Sequence, residues 1–116
     1  MREGDVILAP VPQANGGLKH RPAIILREMP PFQDWLVCGV SSQIQQEVSG
    51  FDEVISPGDE DFAASGLRAK SLIRLGFLAV VPRRVVPGSI GHVSAERHRR
   101  LLRRLSRHLL EPVEVR

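Results

Sequence analysis

The hydrophobic periodicity changes once along the chain, near Ser94, and this change constrains the fold more than any other feature. Before it, short β-branched runs alternate with Gly, Pro and Asn punctuation at the spacing of an all-β barrel or sandwich. Residues 5–9, 22–26, 35–41, 53–55, 71–75, 77–81 and 89–93 read as strands. Pro10 and Pro12 are expected to stop the first strand, and Met29-Pro30-Pro31 separates the second from the third. Residues 13–19, with Asn15-Gly16-Gly17 at the tip, read as a flexible loop. After the change, Ser94 suits a helix N-cap, with Glu96 in the first turn where the dipole favours a carboxylate. Leu101, Leu102, Leu105 and Leu109 then form one apolar stripe, and Pro112 ends the helix. The expectation is a single domain over residues 1–116, mainly β from about 4 to 93, with a C-terminal helix over about 94–110.

Charge follows the same division. Residues 1–93 carry nine Lys/Arg against ten Asp/Glu, whereas residues 94–116 carry seven Arg against three Glu. Arg97, Arg99, Arg100, Arg103, Arg104 and Arg107 fill the helix surface left by leucine, so they are expected to face water or a polyanion. A nucleic acid or an acidic protein segment suits that asymmetry, and a merely solvated arginine face explains it equally well. No apolar run approaches the roughly 18 residues needed to cross a bilayer, and the polar start Met1-Arg2-Glu3-Gly4-Asp5 lacks the apolar stretch of a secretory signal. The single cysteine, Cys38, rules out an internal disulfide. A cytoplasmic protein without membrane association is expected.

Familiar metal and cofactor patterns are missing. His20, His92, His98, His108 and Cys38 lack zinc-type paired spacing, and Asp59-Glu60-Asp61 lacks the alternating oxygens of a calcium loop. No glycine cluster follows a strand and opens a helix, as phosphate and dinucleotide loops require. No metal and no cofactor is expected. Cys38 and Trp35 read as buried strand residues, His92 as structural, and residues 58–65 as a mobile, solvent-exposed acidic loop.

Two segments carry candidate chemistry. Lys19, His20 and Arg21 end the glycine-rich loop, and Pro22 biases Arg21 toward extended geometry, which gives its guanidinium a rigid base. A forked cation so held suits phosphate recognition. The imidazole of His20 is a residue type suited to acid–base work, yet adjacent strand residues point to opposite faces. The second segment is Ser41-Ser42-Gln43-Ile44-Gln45, whose hydroxyls and amides can position a phosphate or ribose, while the amides of residues 13–19 and 43–46, Gln46 included, can read unstacked bases. Taken singly, a solvated basic loop end and a serine-capped turn explain these segments as well.

Gly4-Asp5-Val6, Lys19-His20-Arg21-Pro22-Ala23-Ile24-Ile25-Leu26 and Ser41-Ser42-Gln43-Ile44 occur in that order. Gly66-Leu67, Ser71-Leu72-Ile73-Arg74 and Ile90-Gly91-His92-Val93-Ser94 follow. This succession resembles the MazF/PemK family of toxins and spans nearly the whole chain. The resemblance implies an SH3-like β-barrel of the MazF/PemK/CcdB kind and a homodimer. It also implies a cognate antitoxin whose acidic tail covers the RNA groove. The implied activity is metal-independent, sequence-selective cleavage of single-stranded RNA by 2′-OH attack, which makes the chain an endoribonuclease of a type II toxin–antitoxin system. It further implies that Arg21 and Ser41 are catalytic and that Arg74 supplies a second cation. Some relatives carry an acidic base two positions after Arg74, where this chain has Gly76, so His20 becomes the candidate substitute. Lys19, Ser42, Gln43 and Gln45 are then expected to bind RNA. The alternatives are a non-catalytic nucleic-acid- or protein-binding module, a plain structural dimer, and a gyrase poison. The last is disfavoured by the ending Glu114-Val115-Arg116, which lacks that family's tryptophan.

Overall fold

The computed structural model describes residues 1–12 and 14–113. Gln13 of the expected loop and the ending Glu114-Val115-Arg116 lie outside the described residues. Six strands form one antiparallel sheet: β1 Asp5–Pro12, β2 Leu18–Met29, β3 Asp34–Ser41, β4 Glu53–Ile55, β5 Ser71–Val81 and β6 Ser89–His92. Their lateral order is β4-β5-β3-β2-β1-β6, and the sheet curls into a half-barrel. Two α-helices accompany it, α1 (Phe62–Ser65) and the C-terminal α2 (Ala95–Leu110), with 3-10 turns at Ile44–Gln46 and Arg83–Val85. No helix of the described residues is long and apolar enough to cross a membrane.

The central strands read as continuous apolar runs because both faces of the sheet are covered. Side chains alternate along a strand, so Val6, Ile24, Leu26, Cys38, Val40, Ile73 and Leu75 share one core, onto which Leu101 and Leu105 of α2 pack. Their neighbours Ile7, Ala9, Ala23, Ile25, Trp35, Val37 and Val81 form a second core on the other face. The segment after β5 roofs part of it, with Val86 buried there and the Arg83 guanidinium 4.0 Å from the centroid of the Trp35 ring. Burial pushes the Cys38 thiol up to about 12, so it remains a protonated packing residue.

Several boundaries depart from the periodicity reading. β1 runs through Pro10 and Pro12, because β6 pairs only with Asp5–Ile7 and a missing N–H beyond Ile7 costs no ladder bond on that edge. β2 likewise starts at Leu18, inside the expected loop. The expected strands over 71–75 and 77–81 are a single strand with a break in register: Cys38 faces Leu78, but Gly39 faces Arg74. Leu75, Gly76 and Phe77 therefore bulge from the ladder. The Leu75 N–H donates instead to the buried Asp52 carboxylate, at 3.1 Å, and Asp52 also accepts from the Val48 N–H at 2.9 Å.

The acidic segment is not a mobile exposed loop. It contains α1, its Ser65 is fully buried and Asp61 is 7% exposed. Gly66 caps α1 in the left-handed region (φ 74°), and a Cβ there would lie 2.2 Å from the Ile90 carbonyl oxygen. A Cβ on Gly91 would collide equally with the Ala64 carbonyl. These two glycines let α1, which follows β4, sit against β6 at the far end of the strand order and so help close the curl.

The arginines of α2 also depart from expectation. Ser94 caps the helix as predicted, accepting from the Arg97 N–H at 3.0 Å. Arg97, however, is 6% exposed and faces the sheet. Its guanidinium bonds Glu53 (2.8 Å), Asp61 (2.8 Å) and Asp59 (3.0 Å). Arg100 pairs with Glu53 at 3.1 Å, and Arg104 donates to the Asp52 carbonyl at 2.7 Å. Burial by itself works to raise the Asp61 pKa, but the hydrogen bonds from Arg97 and the Ser94 N–H, together with the Arg97 charge, outweigh it and hold the carboxyl below its ordinary range. Only Arg99, Arg103 and Arg107 of the six face solvent fully. Leu109 is exposed rather than part of the packed stripe.

Candidate functional site

A cleft of about 400 Å³ opens on the second-core face of the sheet, where the roofing segment stops. Strand alternation decides what reaches it. On β2, Arg21 lies on the same face as Ala23 and Ile25, so its side chain enters the cleft, whereas His20 is directed to the opposite face and does not line it. On β3, Ser41 shares the face of Gly39 and Val37. Register brings the strands together: Ala23 faces Gly39, and Gly39 faces Arg74. Two residues beyond Ala23 and Gly39, Arg21 and Ser41 extend the same face.

The rim is polar and the floor apolar. Ser42, Gln43 and Gln46 line one side, while Ala9, Ala23, Val37, Ala79 and Val81 form the bottom. Ser41 Oγ accepts the Gln43 N–H at 3.0 Å, which leaves the hydroxyl proton available for an anion. Gln45 does not line the cleft; its Nε2 donates to the Gln43 side-chain oxygen at 2.7 Å and so orients that amide. Lys19 also lies away from the lining, exposed near the start of β2.

Thus Arg21, Ser41, Ser42, Gln43 and Arg74 are brought together, and Lys19, His20 and Gln45 are not. Gln46, whose amide the sequence offered for base reading, lines the same cleft, as do Gly39 and Phe77, which sequence reasoning passed over. An isolated glycine inside an apolar strand is a recognised sign of close backbone approach, and Gly39 gave that signal. Neither Arg21 nor Arg74 forms an ion pair among the described residues, so the cleft carries two uncompensated guanidiniums. Among the described residues its lining contains no carboxylate and no imidazole. Gly76 lies in the bulge beside the cleft, where an added Cβ would meet only Phe51 Cε2, at 3.9 Å.

This geometry suits an extended polyanion: forked cations on rigid strands, a free hydroxyl, and amides at the rim. Residues 2–109 match the family model described as PemK-like, MazF-like toxin of type II toxin–antitoxin systems. The chain belongs to this family. Comparison with curated proteins gives no match. In this PemK/MazF-like toxin, the matched span takes in the whole sheet and nearly all of α2. The half-barrel with its C-terminal helix is the fold expected of such a toxin.

Proposed function

We propose that this toxin is an endoribonuclease that cleaves single-stranded RNA within the Arg21–Ser41–Arg74 cleft. The observation that carries the reading is the convergence of these three side chains, from three different strands, on one cleft with no acidic residue among its described lining. The ribose 2′-oxygen attacks the adjacent phosphorus in line, the bond from phosphorus to the 5′-oxygen breaks, and the departing 5′-oxygen takes a proton from solvent. Arg21 stabilises the charge that develops on the phosphorane oxygens, a task in which one preorganised donor is worth about 3 kcal/mol. Arg74 adds a second positive charge, and the Ser41 hydroxyl holds a non-bridging oxygen. Ser42, Gln43 and Gln46 are placed at the rim to read bases. With no carboxylate or imidazole among the described lining residues, the 2′-OH proton passes to solvent hydroxide. The products carry a 2′,3′-cyclic phosphate and a 5′-OH, and DNA is inert because it lacks the nucleophile.

Partners follow from the same surfaces. An acidic antitoxin segment would be attracted to the two cleft guanidiniums and would compete with RNA. The outer edge of β5 beyond Ile73 has no strand partner among the described residues, and Leu78 and Val80 are exposed there. That apolar edge supports a homodimer. The reading implies a cytoplasmic protein acting on its RNA there.

The test is incubation with a long single-stranded RNA in excess EDTA, beside the Arg21→Ala protein, over a range of pH. Discrete fragments with 5′-OH ends from the wild type alone, at a rate rising steadily with pH, are the expected result. A bell-shaped profile would mean that a side chain serves as base. Binding without cleavage would move the assignment to a non-catalytic RNA-binding module.

A further inference from the structure

Phe77 is the one aromatic side chain among the described residues of the cleft, and its setting is unusual for an apolar residue. It is 43% exposed, in a cleft it shares with two arginines that have no ion-pair partner among the described residues, rather than packed into either core. Gly39 accounts for its position. A Cβ on Gly39 would lie 2.9 Å from Phe77 Cδ1 and 3.4 Å from Cγ, so the ring rests against bare β3 backbone that no other residue type would leave open. The bulge at Leu75–Phe77 delivers the ring there, and the Asp52 carboxylate holds that bulge through the Leu75 N–H. Around it, Ala9, Ala23 and Ala79 keep the floor shallow-walled and apolar.

Resting on the ribonuclease reading and extending it, we propose that Phe77, seated on Gly39, is the stacking platform for one unpaired nucleobase of the RNA held in the cleft. Phosphates flanking that nucleotide meet Arg21 and Arg74, while the planar base lies against the ring and the alanine floor. Every base has a π-face, so the platform supplies affinity, and the amides of Gln43 and Gln46 at the rim supply the choice of base. Asp52 is then a positioning residue, which acts on RNA only through the bulge.

The probes are short single-stranded DNA of mixed sequence, which the enzyme does not cut, and the matching fully abasic deoxyribose-phosphate strand. Wild type is expected to bind the base-containing strand about tenfold to a hundredfold more tightly than the abasic one. Phe77→Leu should lose most of that preference while keeping its affinity for the abasic strand, and Phe77→Trp should restore it. In cleavage, Phe77→Leu should raise KM with little change in kcat. Gly39→Ala, which displaces the ring, should mimic Phe77→Leu. Equal affinity of the wild type for both strands, or an undiminished preference in Phe77→Leu, overturns the platform and leaves the ribonuclease reading standing. Binding of neither strand, with no RNA cleavage, overturns both.

Discussion

The two groups of arginines in this protein do opposite things. Those of α2 dominate the sequence as a run of positive charge, yet three of them are directed inward: Arg97, Arg100 and Arg104 are bound by Glu53, Asp59, Asp61 and backbone carbonyls. Arg21 and Arg74, scattered in the sequence, meet on one cleft without a carboxylate among its described lining residues. Positive charge concentrated along a chain is therefore no guide to where the fold leaves charge uncompensated. What counts is whether the fold supplies counter-charge, and among the described residues it does so for Arg97, Arg100 and Arg104 of the helix and for neither arginine of the cleft.

The sharpest way to break this comparison is to exchange the expected losses. Arg97→Ala leaves Glu53 and Asp61 buried without their cation and should cost about 3–5 kcal/mol in urea denaturation. Cleavage per folded molecule should be unchanged. Arg21→Ala should give the reverse, a fall of about a hundredfold to a thousandfold in kcat with an unaltered denaturation midpoint. If either variant shows the other's phenotype, the division of roles fails.

Acid offers a second measurement. The Asp61 pKa is lower in the folded state than in the unfolded chain, so its contribution is complete above the ordinary carboxylate value of about 3.9. It is lost as pH falls through the depressed folded value. Stability should drop steeply below about pH 4, and Asp61→Asn should show a shallower acid decline from a lower starting point.

The smallest effects concern salt. Arg74→Gln should reduce the slope of log affinity against log salt for single-stranded nucleic acid by about 0.7, the loss of one phosphate contact. Arg103→Gln and Arg107→Gln should leave it unchanged and shift stability by less than about 0.5 kcal/mol. A reduced slope in the helix variants would return α2 to the nucleic-acid interface.

Much of the architecture was legible in local pattern. The Ser94 cap, the packing of Leu101 and Leu105 and the burial of Trp35 and Cys38 follow from short-range periodicity and capping chemistry. Boundaries at Pro10 and Pro12 were not, because a proline's cost depends on whether a neighbouring strand needs its N–H. The acidic segment misled for a similar reason: Asp59-Glu60-Asp61 resembles a solvated run until Arg97, more than thirty residues away, is brought against it. Of the candidate site, Arg21 and Ser41 were visible as residue types in rigid settings. Phe77 was hidden, since its exposure depends on a bulge whose existence needs the β3–β5 register.

The sequence by itself determined a β-rich chain with one amphipathic C-terminal helix, and its motif order marked the toxin family. Those properties rest on side-chain period, capping and residue type, all of which act over a few residues. Tertiary structure alone settles which charges are neutralised, that of His20 and Arg21 it is Arg21 that faces the cleft, and that Arg74 faces Gly39. Strand register and face are set by long-range pairing, and a shift of one residue would reverse every side chain between cleft and core.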